Sequence, residues 1–586
     1  MDNPPEHWDI AIFGTGLSES ILAAALAKAG KKVLHLDEND YYGGDSASLT
    51  LLELITWADE RSKPTQQKAD QTSSAYLLAQ CKSFIDIQYG FPSSSDEATP
   101  DPDFMKDSRI YAISLLPCLV PASGPIITSL IASGVSRYGG FCLLNSVAMC
   151  TPLDDKRPED EWELKRVPSS KEDVFKDRSL SLLDKRKLMK FLMFAASDAE
   201  NPPELEGQEE TAFLDFLERK FSLPKSIASA ISFATAHCSH IADKAVPALQ
   251  RLQRYLRANG RYGNSPFLIG HYGGAGEISQ GFCRTAAVQG ATYILGRKIE
   301  AINHVPEVPA ATAAKTESGD APKGPHFSIR LDGFANPVTA DVVVSTDSYL
   351  GYLNSVENRA SLEPNSMTNG AHYLIRGIAV LGSPIKFASA GANTTATQEE
   401  AGSSAGSETN PPEEAPGTCL VVFPPVTFEG KAMEPVSALV MGEVSLSCPT
   451  GRYVVYLTTL FKGDDSATSP PNPSELLQPY LDRLLRFTSG GADSKPLFVC
   501  YYNQRLSSAL GPISSTGSGS TILRLNSAPP MDAPLTEAAD GATTEAERIF
   551  WEIMKFKTDG DQDIPEGFWP QVEQDGDDST GVDEEW

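Results

Sequence analysis

Asp9-Ile-Ala-Ile-Phe-Gly-Thr-Gly-Leu-Ser-Glu19 decides the fold of this chain. Ile10 to Phe13 reads as a short buried strand, Gly14-Thr-Gly16 as a tight turn, and Leu17 to Ala29 as an apolar, alanine-rich helix. Lys32-Val-Leu-His-Leu-Asp37 follows as a second strand, ending in an acid about twenty residues beyond the turn. This is the βαβ layout of a Rossmann-like α/β domain, in which a diphosphate rests on the helix N-terminus. The third glycine position, where a small residue lets helix approach strand, is Glu19. A carboxylate there can take the place at the helix dipole that the diphosphate needs, and phosphate charges beside it would be repelled. The degenerate turn Gly14, Gly16, Glu19 therefore predicts a nucleotide fold with its site shut and no cofactor. Tyr272-Gly-Gly-Ala-Gly-Glu-Ile-Ser-Gln-Gly-Phe-Cys-Arg284 is the second informative stretch, and it offers a polar binding surface instead.

A chain of 586 residues is too long for one simple core, so two or more domains are expected. No apolar run is long enough to span a bilayer. The first eight residues, Met-Asp-Asn-Pro-Pro-Glu-His-Trp, lack the features of a signal peptide, and the final Asp-Glu-Glu-Trp is no prenylation box. Nine cysteines without repeated spacing read as reduced thiols of a cytosolic protein. The net charge of −28 argues against nucleic acid and anionic membrane as direct partners, and suits a basic protein or segment.

Polar stretches at 61–75, 92–104 and 306–325, the low-complexity insert 388–417 and the acidic tail 557–586 cannot bury enough apolar surface to offset chain entropy. Between 166 and 260 the pattern turns helical. Ser181-x-x-Asp184 resembles a capping box, followed by Leu188, Phe191, Leu192 and Ala195 at helical spacing. Further helices are expected from Thr211 to Phe221, from Leu223-Pro-Lys through Ala234, and from Val246 to Arg257. Strand signals return at Thr292, Phe327, Asp341, Ala438, Tyr453 and Leu497. The expected organisation is a discontinuous α/β domain of flavoprotein type with mixed sheets, residues 1–165 and 261–556, interrupted by a helical domain at 166–260. His237-Cys-Ser-His240 lacks a separated second ligand pair and is not read as a metal site. No Gly-x-Ser-x-Gly elbow, P-loop or acid–base constellation points to catalysis.

The chain resembles the Rab GDP-dissociation inhibitor and Rab escort protein superfamily. The likeness rests on Gly14-Thr-Gly-Leu-Ser-Glu19, Lys31-Lys-Val-Leu-His-Leu-Asp37, Tyr41-Tyr42-Gly-Gly and Ser46-Ala-Ser. It continues in Arg261-Tyr-Gly-Asn-Ser-Pro-Phe leading into Tyr272–Arg284, and in Asp347-Ser-Tyr. The resemblance implies a flavoprotein-like domain without flavin and a platform for GDP-bound Rab GTPases, with Tyr42, Glu277, Gln280 and Arg284 as the Rab-binding residues. Such a set can read backbone and charged groups on a protein surface. A salt bridge between Glu277 and Arg284 would be the purely structural use of the same residues.

Arg166-Val-Pro-Ser-Ser-Lys-Glu-Asp-Val-Phe175 and Asp184-Lys-Arg186 resemble the escort branch, which pairs a phenylalanine with an arginine eleven residues on. Phe175 and Arg186 are thus implied as the transferase-binding residues. The small side chains Ala228, Ser229, Ala230, Ser232, Ala234 and Ala236 suit a helical cleft for an isoprenoid. Leu115–Leu130 and Arg137-Tyr138 are candidates for a groove holding the Rab tail. The resemblance implies a non-catalytic accessory subunit of Rab geranylgeranyl transferase. Its partners would be unprenylated Rab in the GDP form, the transferase αβ heterodimer and the geranylgeranyl lipid of prenylated Rab, with no nucleic acid. It implies a cytoplasmic protein, transiently at membranes, with the nucleus left open. A recycling GDP-dissociation inhibitor and an FAD-dependent oxidase of amine-oxidase type are the alternatives.

Overall fold

In the computed structural model the opening strand, His7–Phe13, runs parallel between Val33–Asp37 and Val338–Ser345. Thr292–Leu295 adds beyond Val33–Asp37, and Thr521–Arg524 beyond Val338–Ser345, both parallel. Phe327–Leu331 and Ile299–His304 complete a seven-stranded mixed sheet in antiparallel pairing. The opening strand is apolar at successive positions because both sheet faces are covered. Ile10 and Ile12 pack toward the helices Leu17–Lys28, Ala275–Val288 and Ala538–Lys557, while Ala11 and Phe13 face Tyr76 and Tyr349. The structure describes residues 7–62, 74–94, 99–153, 161–168, 171–177, 180–197, 203–305, 327–353, 372–387, 416–428, 431–432, 434–463, 469–506, 521–526, 528–531, 533–557 and 565–570.

A second sheet of eight strands begins with Phe84–Gly90, Phe498–Arg505, His372–Leu381 and Tyr453–Lys462. It continues through Val436–Met441, Thr418–Phe423, Ser146–Pro152 and Trp162–Arg166. Its pairs are antiparallel except Thr418–Phe423 with Ser146–Pro152. Arg376 and Gly377 interrupt the apolar reading of His372–Leu381, which hides that strand in the sequence. Gly377 is required there, because a Cβ would lie 2.9 Å from the Tyr501 ring. One face of this sheet packs on the helix Pro473–Leu485. The other shares a continuous core with Trp57, Phe84 and Tyr502 that runs into the helical region.

That region holds the helices Lys171–Lys176, Leu182–Ala195, Phe213–Phe221, Lys225–Ser229 and Ala245–Ala258. The N-cap half of the expected capping box forms: the Ser181 hydroxyl accepts from the Asp184 N–H at 3.1 Å, and it donates to the Asp184 carboxylate at 2.7 Å where a full box would use the Ser181 backbone N–H. Phe191, Phe213, Phe216 and Phe221 pack in a ring cluster beneath it. The expected third helix is not regular: after Ser229 it widens into a π-helical turn, Ala230–Thr235.

Inserts 306–325 and 388–415 lie outside the described residues, as does 571–586. The acidic tail does contain one packed piece, contrary to its reading as uniformly unstructured. Phe568 is buried, and Trp569 stacks on Phe282 at 5.9 Å and donates its indole N–H to Ser129 Oγ at 2.9 Å. Two aromatic side chains supply the apolar area that the surrounding acids lack. Among the described residues no helix is long and apolar enough to cross a membrane.

Candidate functional site

Gly14, at φ 95°, makes the turn after the opening strand, and the Glu19 side chain folds back over it. Its carboxyl oxygens lie 3.2 Å from where a Gly14 Cβ would stand and 2.6 Å from the same point on Gly16. The glycines leave a hollow, and Glu19 fills it. The side chain is buried, and Oε2 has no hydrogen-bond partner among the described residues. Burial pushes its pKa up to about 8, with Asp45 and Asp37 adding to the shift. This corrects the expectation of a charged plug: near neutral pH Glu19 is mostly protonated and closes the site by occupying space.

Asp37 is equally spent. Its Oδ2 accepts from the Thr15 N–H at 2.8 Å and the Thr15 hydroxyl at 2.6 Å. Its Oδ1 accepts from Asn39 N–H at 2.9 Å and from the Tyr349 hydroxyl at 2.9 Å. Burial raises its pKa despite these donors. The Tyr349 ring comes within 3.4 Å of the Gly14 Cβ position and stacks on Tyr76 at 4.7 Å. These residues do not fit a dinucleotide. The diphosphate place is filled by Glu19, and the acid that would bind a ribose is saturated by the chain itself.

The helix Ala275–Val288 begins from a second strand and glycine turn. Tyr272, Gly273 and Gly274 all have positive φ (52°, 85° and 77°). Tyr272 is held there by its N–H to the Ser445 carbonyl at 3.1 Å, and Gly273 by its N–H to Ser447 Oγ at 3.0 Å. Gly276 permits a close approach, since a Cβ would lie 2.4 Å from the Ser48 backbone nitrogen. The segment Gly43–Ser48 can therefore press on the helix and carry Tyr42 to its flank. Tyr42 meets Tyr293 edge-on at 5.8 Å, and burial raises its pKa.

Glu277, Gln280 and Arg284 are spaced three and four apart, which puts them on one stripe of the helix. Gln280 and Arg284 are exposed, and Glu277 is half-buried with a raised pKa caused by desolvation. Among the described residues no ion pair joins Glu277 to Arg284, so the alternative of an internal salt bridge is not realised. Arg284 instead lies over the Tyr138 ring at 5.1 Å. The Tyr138 hydroxyl bonds to Thr285 Oγ1 and, at 3.4 Å, to the Gly281 carbonyl. Tyr138, expected in a tail groove, thus belongs to this surface. Val288, one turn beyond Arg284, prolongs the stripe and is exposed. Helical spacing alone could have found Val288; only folding could bring Tyr138 here. Leu115, Leu119 and Leu130 are buried in the cores and line no surface groove.

Phe175 sits on the short helix Lys171–Lys176 with its side chain 63% exposed, next to the buried Val174. Its carbonyl accepts from Lys185 Nζ at 2.8 Å, which ties it to the helix bearing the exposed Arg186. His237 and His240 do not converge. His237 is buried against Tyr255 and Phe267, while His240 pairs with Glu434 at 3.0 Å. The cavity beside His237, lined also by Phe233, Thr458 and Leu535, measures about 30 Å³, room for a water and not for an isoprenoid. All nine cysteines are free thiols.

The model of the GDP dissociation inhibitor family matches residues 3–79 and 93–318, just over half of the chain. The chain is 29% identical over 459 residues to "Rab proteins geranylgeranyltransferase component A" of Saccharomyces cerevisiae, covering 78% of this chain and 62% of that protein. It is also 29% identical to "Rab escort protein 1" of Arabidopsis thaliana, covering 79% and 78%. The chain thus spans only about three fifths of the yeast relative's length. The solved structure of a Rab GDI from Plasmodium falciparum superposes with a TM-score of 0.59 at 18% identity, covering 94% of this chain and 98% of that one. An oxidoreductase from Methanosarcina mazei does so at 0.50 and 13% identity, covering 93% and 100%. Both share the fold. The sealed turn and the matched segments lead to one assignment: the chain belongs to the GDP dissociation inhibitor family.

Proposed function

We propose that this chain is a Rab escort protein. It binds unprenylated Rab in the GDP form, presents it to the geranylgeranyl transferase, and delivers the prenylated product to a membrane. The observation that carries this reading is the stripe of half-buried Glu277 and exposed Gln280 and Arg284 beside a nucleotide turn closed by Glu19. A nucleotide fold with no room for its nucleotide keeps its surface for another protein. Tyr42, Glu277, Gln280 and Arg284 supply a ring, a carboxyl, an amide and a guanidinium for that contact, and Tyr and Arg are favoured interface anchors.

Phe175 and Arg186 dock the transferase heterodimer in this reading, an aromatic anchor with a charged partner. The chemistry belongs to the transferase. This chain contributes effective concentration, because a tethered Rab tail stays near the active site. Shielding the isoprenoid from water is worth about 0.8 kcal/mol per buried carbon, which makes a lipid-bearing Rab soluble while bound. The cytoplasm is the compartment that this cycle requires.

The test is a pull-down of transferase with purified chain and Rab, comparing wild type with Phe175→Ala. Loss of the transferase with retention of Rab is expected. A wild-type chain that binds Rab but never the transferase would identify a recycling inhibitor. A chain that binds no GDP-loaded small GTPase would sink the reading.

A further inference from the structure

The helix Leu182–Ala195 buries Leu188, Phe191 and Ala195 against the core. At 3.6 residues per turn the opposite side carries Leu182, Leu183, Arg186, Lys190 and Met193. Leu182 is 81% exposed, Met193 72% and Leu183 62%, and Phe175 adds to them from the preceding short helix. The same helix has four cations, Lys185, Arg186, Lys187 and Lys190, and a single acid. That acid, Asp184, is engaged at the N-cap and lies 4.0 Å from Lys187. On the outward side of Leu182–Ala195 the large apolar and cationic side chains stand with no acid among them, the reverse of the chain as a whole, whose net charge is −28.

We propose that this face is a contact site for an anionic lipid surface. Leucine, methionine and phenylalanine enter the boundary between headgroups and acyl chains, while Arg186 and Lys190 reach lipid phosphates from the same side. An acidic protein would satisfy the two cations but would need a matching hollow for each apolar group. A lipid interface accepts both without one. The acidic remainder does not forbid this, because charges farther than about 8 Å from the surface are screened at physiological salt. The docking role proposed for Phe175 and Arg186 uses part of the same face, so transferase and membrane would exclude each other.

The test uses the purified full chain, without Rab or transferase, so that its failure leaves the escort reading untouched. Flotation is compared on phosphatidylcholine vesicles with and without phosphatidylserine. Binding only to the anionic vesicles is expected, weakened by added salt. Leu182→Asp combined with Met193→Asp should reduce it at least about tenfold, and Arg186→Glu with Lys190→Glu to a similar extent. Both pairs are at exposed positions, so unchanged thermal melting is the control. A third variant, Val288→Asp on the platform helix, should bind vesicles like wild type. No binding to anionic vesicles, or binding that survives both pairs, overturns the proposal. Loss of transferase capture in the first pair without any vesicle binding by wild type would reassign the face to a protein partner alone.

Discussion

The helices Leu17–Lys28 and Ala275–Val288 each follow a short strand and a glycine turn, and each carries a glutamate as its third residue, Glu19 and Glu277. They pack within the same core, yet the two acids have opposite fates. The first helix is buried from Leu17 to Ala27, so Glu19 has nowhere to go but back over its own turn. The second is amphipathic, with Ile278, Phe282 and Ala286 inward, so Glu277 stays at the surface in line with Gln280 and Arg284. One glutamate fills the hollow of a glycine turn, and the other stays on the outer side of its helix beside exposed polar residues. The difference is set by what surrounds each helix, since the local motif is nearly the same.

The sharpest way to break this comparison is to titrate it. The pKa of Glu19 is about 8 in the fold against an ordinary value of 4.5, so between these values the folded chain holds a proton that the unfolded chain has released. Stability contributed by this group therefore falls as pH rises from 4.5 to about 8, and the loss is complete above that. The slope is about 1.4 kcal/mol per pH unit, several kcal/mol across the window. Glu19→Gln should flatten the slope by Glu19's share, leaving that of Asp37 and Asp45, and be the more stable protein at pH 8, measured by urea unfolding of both at several pH values. Equal pH profiles would show that Glu19 is not held protonated. Glu277→Gln should change stability by no more than about 0.5 kcal/mol at either end.

Next in size is Arg284→Ala. It should weaken binding of GDP-loaded Rab by about tenfold or more, around 1.4–2 kcal/mol, with the unfolding midpoint nearly unchanged. A variant that unfolds instead would mean that the cation over Tyr138 serves the fold. Trp569→Ala should lower stability by about 1–2 kcal/mol, because it strips a stacked ring from Phe282 on the inner side of the platform helix. A loss of Rab affinity larger than this stability change would make the tail segment part of the platform's alignment. The smallest effect is expected for Val288→Ala, within about 0.5 kcal/mol in stability and only a few-fold in Rab affinity. A tenfold loss would extend the platform's energetic centre to its far end.

Much was legible in the chain itself. The strand, turn and helix from Ile10 to Ala29, the acid at Asp37, the N-cap at Ser181 and the stripe of Glu277, Gln280 and Arg284 are all local patterns. Spacing within one element reports its faces, because the helix and strand periods are properties of the backbone. The partner roles proposed for Tyr42, Glu277, Gln280, Arg284, Phe175 and Arg186 required the family likeness as well, since polar residues on a helix do not announce a partner.

What only the tertiary structure decided lies between elements. It brought Tyr138 beneath Arg284, set Tyr349 and Tyr76 over the glycine turn, and docked Trp569 on Phe282 from more than two hundred residues away. It also decided the charge state of Glu19. The amino-acid sequence places a glutamate at the turn, but the cost of ionising it depends on how completely folding removes water, and that depends on every segment packed around it.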